Sequence, residues 1–262
     1  MKSSILIKKK DKFFVEDVCI DSIIEKFATP TYIYSKKRIV DNFKSLESAF
    51  ENVDHLICFA VKANSNLAIL NLLAKNGAGF DIVSGGELRR VIAADGDPKK
   101  IVFSGVGKTS EEIKVAIENN ILAFNIESED ELTRIQEIAK SLSKQASISI
   151  RVNPNVDANT HPYISTGLKE NKFGVSEESA LNLYKKAKKM DSILIKGIDC
   201  HIGSQITDLK PFEDSVKKLI ALIDKLEIEG INIEHIDIGG GIGISYEDEK
   251  AIPFDDYAKA VI

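Results

Sequence analysis

From residue 54 onward, short apolar runs alternate with amphipathic stretches. Seven runs read as strands, over residues 55–61, 78–83, 100–104, 121–126, 147–153, 194–201 and 233–238. Most are nearly continuous and rich in Ile and Val, the composition of strands buried on both faces. Helices with readable starts lie between them. Thr109-x-x-Glu112 and Ser128-x-x-Glu131 spell capping boxes. The second precedes an apolar face of Leu132, Ile135, Ile138, Ala139 and Leu142. Further on, Phe212, Val216, Leu219, Ile220, Ile223 and Leu226 recur at helical spacing and predict a core-facing stripe. Residues 1–34 are less regular, with one strand-like stretch at 31–34, and are expected to lie outside the main unit, residues 35–262.

Strand–helix units in succession predict a parallel sheet, either a (β/α)8 TIM barrel or a doubly wound open sheet. The placement of unusual residues favours the barrel. Lys62, Asp81, Ser104, Asn125, Arg151, His201 and the glycines after Ile238 all fall at or just past the C-terminal ends of successive runs. A barrel brings those ends to one mouth, whereas an open sheet strings them along an edge. Only seven runs are counted, and the chain stops at Ile262 inside the helix after the last. The expected fold is therefore α/β, an incomplete (β/α)8 barrel one strand short of closure.

Composition narrows the function classes. The formal net charge is −5 and no basic block stands out, which argues against nucleic-acid binding. No apolar run reaches membrane-spanning length, and Ile5-Leu6-Ile7 is too short for a secretory leader. Cys19, Cys58 and Cys200 sit far apart in apolar contexts and read as reduced thiols of a cytoplasmic protein. Four scattered histidines, with no H-x-x-H or C-x-x-C, argue against a metal site. Gly107-Lys108-Thr109 imitates the end of a P-loop, but Val102 stands where that motif needs glycine. His55 and His235 open strands and are expected to hydrogen-bond locally, while Asp255-Asp256 reads as a solvated helix start.

Three segments carry candidate chemistry. Lys62 ends the run Ile57-Cys58-Phe59-Ala60-Val61. An amine held dry at such a strand end favours its neutral, nucleophilic form, which suits Schiff-base chemistry with an aldehyde. Alone, it reads better as a lysine reaching out from a strand end. Asp237-Ile238-Gly239-Gly240-Gly241-Ile242-Gly243 follows a strand, and consecutive glycines let backbone N–H groups converge on an anion such as phosphate. The spacing excludes a dinucleotide fingerprint, because Ile244 and Tyr246 occupy positions that would need glycine. His201-Ile-Gly-Ser204-Gln205 leaves the sixth strand, with a ring able to stack on a planar group and a hydroxyl able to donate to phosphate.

Together Lys62, His201, Ser204 and Gly239-Gly240-Gly241 resemble the pyridoxal-phosphate decarboxylases of the alanine-racemase-like barrel fold. Further resemblance lies in Phe59-Ala-Val-Lys-Ala-Asn64, Gly79-Phe-Asp-Ile-Val-Ser-Gly-Gly-Glu-Leu88, Arg151-Val-Asn-Pro154, His161-Pro-Tyr-Ile-Ser-Thr-Gly167 with Lys172-Phe-Gly174, and His201-Ile-Gly-Ser-Gln205. The likeness runs in order over residues 30–262. The 161–167 and 201–205 segments look more like the diaminopimelate decarboxylase branch than the ornithine, arginine or carboxynorspermidine branches.

The resemblance implies a lyase that releases carbon dioxide from meso-2,6-diaminopimelate to give L-lysine, with pyridoxal 5′-phosphate as cofactor. Lys62 would hold the cofactor as a Schiff base, His201 would stack on its ring, and Ser204 with Gly239, Gly240 and Gly241 would bind its phosphate. Asp81 would lie near the amine and Arg151 near the ring's polar edge, although both read almost as well as structural ion pairs. Glu87 would support the site, and residues 155–171 would form a flap in which His161 is either an anchor or a solvated loop residue. Relatives of this family are expected to add an eighth strand with a glutamate for the pyridine nitrogen, an arginine for substrate, and a β-domain that completes the partner's site in a homodimer. None of these can be assigned here, so the chain is expected to be incomplete, to bind cofactor poorly and to turn over little. Two rival readings stay open: a Schiff-base aldolase, and a non-catalytic pyridoxal-phosphate carrier.

Overall fold

The computed structural model describes residues 5–157, 173–246 and 250–262. The expected flap, with His161 and Lys172, lies outside the described residues except at its start. A small antiparallel sheet comes first, in which β1 (Leu6–Lys9), β2 (Lys12–Val15) and β3 (Val18–Cys19) pair in sequence order. Helix α1 (Ile20–Phe27) buries no residue, and α2 (Lys36–Ala49) begins where Ser35 Oγ accepts from the Arg38 N–H. Residues 31–34 form no strand, against expectation. Tyr32 is 90% exposed, and the segment pairs with neither sheet among the described residues.

Seven strands then pair in parallel, each with the next: β4 (Cys58–Ala60), β5 (Gly79–Ile82), β6 (Ile101–Phe103), β7 (Ala123–Ile126), β8 (Ala146–Arg151), β9 (Ile193–Asp199) and β10 (His235–Asp237). Between and after them run α3 (Leu67–Ala74), α4 (Gly85–Ala93), α5 (Ser110–Glu118), α6 (Glu129–Ser141), α7 (Glu177–Ala187), α8 (Lys210–Ile228) and α9 (Phe254–Val261). All seven predicted strands are present.

The strands are not uniformly apolar. Phe80, Ile82, Ile101, Phe103, Phe124, Ile126, Ile148, Ile150 and Ile198 are all buried in the main core. The register places the alternate residues side by side on the opposite face: Ala60 beside Asp81, Asn125 beside Ser149, Arg151 beside Asp199, and Asp199 beside Asp237. Because side chains alternate between faces, one face is packed and apolar and the other is small and polar.

The polar face is concave. Neighbouring strands lie about 4.8 Å apart, so β7 and β10, three steps apart, would be separated by about 14 Å on a flat sheet. Yet Asn125 Nδ2 lies 3.1 Å from Asp237 Oδ2, and Ser149 Oγ lies 3.0 Å from His235 Nε2 across β9. Only a curled sheet brings these side chains together. The doubly wound alternative is excluded, and the fold is a half-barrel with β4 and β10 as its edges.

Local start signals differ in outcome. The Thr109 box has both of its hydrogen bonds. At Ser128 only one is made, since Glu131 turns its carboxylate to the Glu127 N–H and to Lys108 instead. The stripe on α8 is also shifted: Phe212, Leu219, Leu222 and Leu226 are buried, whereas Ile220 is 47% exposed. A second apolar cluster, containing Phe50, Ile202, Ile206, Phe212, Ile252 and Tyr257, packs near both sheet edges through Ile57 and Ile238.

Candidate active site

The C-terminal ends of the strands form the mouth of the half-barrel. At β10 the chain passes into the glycine turn. Gly239 and Gly241 have φ of +68° and +100°, a region that costs other residues strain. A Cβ would lie 2.5 Å from the Cys200 carbonyl oxygen at Gly239 and 2.0 Å from that of Gly203 at Gly241. At Gly240 a Cβ would meet nothing within 4 Å, so this glycine faces open space. The turn is tied down on both sides. Asp237 Oδ1 accepts the Gly239 N–H at 2.9 Å, and Ile206 and Gly243 donate to Gly241 O and Ile206 O at 2.8 Å each. Ser204, exposed, follows the same Gly203 that packs against Gly241.

His201 stands beside the turn, with Nδ1 accepting the Gly240 N–H at 3.3 Å. That bond assigns the ring proton to Nε2. Burial, helped by the charges of Arg151 and Lys62, moves its pKa from 6.5 down to about 4, so the ring is neutral at physiological pH.

Lys62 lies in the 3-10 turn that follows β4. Its side chain is exposed, which corrects the expectation of a dry amine. The reason is topological: β4 pairs only with β5, so its far side is open. The Lys62 charge contributes in a minor way to the shifts of both Asp81 and His201. Asp81 is half-buried and accepts from Ser104 Oγ at 2.7 Å. Burial raises its carboxyl from 3.8 to about 6; Asp237 and Glu87 add to this, and the Ser104 hydrogen bond and Lys62 oppose it.

Arg151 takes the ion-pair role that the sequence left open. It is buried, its NH1 lies 3.0 Å from Glu127 Oε1, and its Nε lies 3.9 Å from Asp199 Oδ2. Its guanidinium also lies over the Phe173 ring. Asp199 is buried as well, and burial followed by the Asp237 charge pushes its carboxyl well above the usual range, with Arg151 opposing. Glu87 accepts the Val83 N–H at 2.7 Å and so braces the start of α4. His55 bonds locally to Val53 O. His235 does not: it reaches Ser149 on another strand. Lys108 is buried among Glu131, Gly105 O and Asn125 O, a structural role that agrees with rejecting a P-loop.

Sequence reading passed over Glu127, Asp199 and Asp237 as site residues and gave Ser104 and Asn125 no role. Their signal was present as polar residues at every second position within apolar runs, the mark of a polar lumen. No group of metal-ligating side chains occurs among the described residues, and no described helix is long and apolar enough to cross a membrane.

Comparison with known proteins gives a consistent result. The family described as pyridoxal-dependent decarboxylase, pyridoxal binding domain, matches residues 36–262. The chain is 52% identical over 250 residues to the diaminopimelate decarboxylase of Pseudomonas aeruginosa, covering 95% of this chain and 60% of that protein. It is likewise 52% identical over 254 residues to that of Haemophilus influenzae, covering 97% and 61%. The crystal structure of diaminopimelate decarboxylase from Helicobacter pylori complexed with L-lysine matches with a TM-score of 0.90 at 47% identity, over 92% of this chain and 61% of that one. The chain thus spans about 60% of the length of the curated relatives it matches. Since the family match runs from α2 through β10 to the last residue, this chain belongs to the pyridoxal-dependent decarboxylases and carries their pyridoxal-binding domain.

Proposed function

We propose that this protein takes part in the decarboxylation of meso-2,6-diaminopimelate to L-lysine, with pyridoxal 5′-phosphate bound at the mouth of the half-barrel. The observation that carries this reading is the convergence of the strand ends on the 239–241 turn: His201 is bonded to Gly240, Asp81 is linked through Ser104, Asn125 and Asp237 to Gly239, and β4, which Lys62 follows, pairs beside Asp81. The 52% identity to diaminopimelate decarboxylases supports the choice of substrate over other diamino acids.

The residues present fit the cofactor. Gly239 and Gly241 admit no side chain, and Gly240 faces open space. When bound, pyridoxal 5′-phosphate supplies an aldehyde and an electron-withdrawing ring that accepts the electron pair released as carbon dioxide leaves. Lys62 supplies the amine that captures the aldehyde. Asp81 sets the charge beside that amine. The neutral His201 offers a flat ring face without adding positive charge. Ser204 and the Gly241 N–H receive the phosphate, because the Gly239 and Gly240 N–H groups are already donated to Asp237 and His201. Arg151, held by Glu127 and Asp199, keeps a fixed positive charge near His201.

Residues 35–262 are assigned to the cofactor-binding unit and 1–34 lie outside it. Supporting this, β1, β2 and β3 form a sheet of their own and the family match starts at residue 36. A cytoplasmic homodimer belongs to the same reading: all three cysteines are free thiols, and the resemblance implies active sites completed between subunits.

The test is spectroscopic and chemical. The purified protein with cofactor is expected to absorb near the violet, to lose that band on borohydride treatment, and to carry the label on Lys62. Joined to the portion of the Haemophilus influenzae relative that it does not match, it is expected to release carbon dioxide from meso-diaminopimelate faster than from ornithine, lysine or arginine. A protein that stays colourless with cofactor after being joined to that portion points to an aldolase; a coloured one that releases no carbon dioxide from any of them points to a carrier.

A further inference from the structure

The hydrogen bonds beneath the glycine turn form one connected network, with Asn125 donating to both of its arms. Asp237 spends Oδ1 on the Gly239 N–H at 2.9 Å and offers Oδ2 to Asn125 Nδ2 at 3.1 Å. The same Asn125 amide nitrogen donates to Ser104 Oγ at 3.2 Å, and Ser104 Oγ donates to Asp81 Oδ1 at 2.7 Å. Asn125 is 1% exposed. Its orientation follows from its partners: turned over, it would set its own carbonyl oxygen against the Asp237 carboxylate, acceptor to acceptor. Asn125 Oδ1 is buried with no hydrogen-bond partner among the described residues, so the two donated bonds are what hold the side chain.

A turn containing glycines has little stiffness of its own, and the direction of its N–H groups depends on what anchors it. We infer that Asn125 is a positioning residue: through Asp237 it holds the 239–241 turn in anion-binding geometry, and through Ser104 it orients Asp81 beside Lys62. The inference rests on the reading that this turn receives the cofactor's phosphate. A hydrogen bond to a carboxylate is among the stronger ones available to a side chain, and this one joins β7 to β10 across the lumen.

The test compares two probes, pyridoxal 5′-phosphate and pyridoxal; closure of pyridoxal to its internal hemiacetal is a constant factor that cancels when the variant's ratio is divided by that of the wild type. Absorbance titration gives both affinities, and their ratio reads the phosphate's contacts, with Ser204 unchanged in every variant compared. The wild-type protein is expected to prefer the phosphorylated probe strongly. Asn125→Leu, of similar volume but without donors, is expected to lower that ratio about tenfold, the worth of one hydrogen bond. Ser104→Ala removes the arm to Asp81 together with one of the two bonds that hold Asn125, and is expected to lower the ratio by less than Asn125→Leu. Asp237→Asn retains an oxygen for the Gly239 N–H and is expected to keep more of the preference than Asp237→Ala. A wild-type ratio in Asn125→Leu, including one in which both affinities fall together, overturns the inference. A wild-type protein that binds both probes equally overturns the phosphate reading beneath it instead, so the two failures are distinct.

Discussion

Asp81 and His201 face the same mouth with shifts of opposite sign. Asp81 is raised from 3.8 to about 6, chiefly by burial, against the opposing Ser104 hydrogen bond and Lys62 charge. Its folded form binds the proton more tightly than its unfolded form. The stability it contributes is therefore complete below about pH 3.8 and lost as pH rises through about 6. His201 is lowered from 6.5 to about 4, again chiefly by burial. Its contribution is complete above about pH 6.5 and lost as pH falls through about 4. The windows overlap, so in the wild type the two trends oppose each other and single substitutions expose each. For Asp81→Asn, urea unfolding is expected to show variant-minus-wild-type stability climbing from pH 4 to 6 and then levelling. For His201→Gln the same difference is expected to sink across pH 4 to 6.5. Parallel curves for the two variants would refute the assignment. At this scale Lys62, His201 and the glycines stood out in the sequence because their residue types are unusual at strand ends. It could not foretell that Lys62 is exposed, since that depends on which strand forms the sheet edge.

Among the elements, the strands were legible as runs of β-branched residues, but their two faces were not. Register decides which residues point inward, and a one-residue shift exchanges the faces. The base of the lumen between β8 and β10 illustrates the outcome. The His235 imidazole occupies the space over Gly197: a Cβ built there would lie 2.2 Å from Nε2. The same nitrogen bonds Ser149 Oγ at 3.0 Å. Sequence reasoning gave His235 a local partner because a lone histidine at a strand start carries no trace of a glycine 38 positions earlier. Gly197→Ala is expected to destabilise the protein by about 1–3 kcal/mol, the usual cost of overpacking. Adding His235→Ala is expected to recover part of that loss, because the obstructing ring is gone. Additive losses in a denaturation double-mutant cycle would contradict this packing. Capping offers a smaller case: Thr109 makes both bonds of its box, and Thr109→Ala is expected to cost about 1 kcal/mol in the same assay.

For the molecule as a whole, the half-barrel has two distant edges, and the second apolar cluster packs against both. Tyr257 of α9 is 4% exposed. Its ring meets Phe212 of α8 edge-on at 4.9 Å between centroids and Phe50, just after α2, at 6.0 Å. Ile57, beside β4, and Ile238 and Ile242, beside β10 and in the glycine turn, pack against the same cluster. These contacts join segments some 200 residues apart, which no local pattern could disclose; α9 was expected as the helix after the last strand, with a start at Asp255-Asp256, but its partners were not. The cluster therefore ties the position of the turn to the packing of α9. Tyr257→Ala is expected to cost about 3–5 kcal/mol, as for other buried aromatic residues, and Tyr257→Phe far less, because it keeps the ring. The loss is expected to be local before it is global. Amide exchange should accelerate first at Ile206 and Gly243, whose hydrogen bonds join the turn to the segment after β9, while the amides between β6 and β7 in the main core keep their protection. Uniform acceleration across both groups would show that the two clusters unfold as one and that α9 does not govern the turn separately.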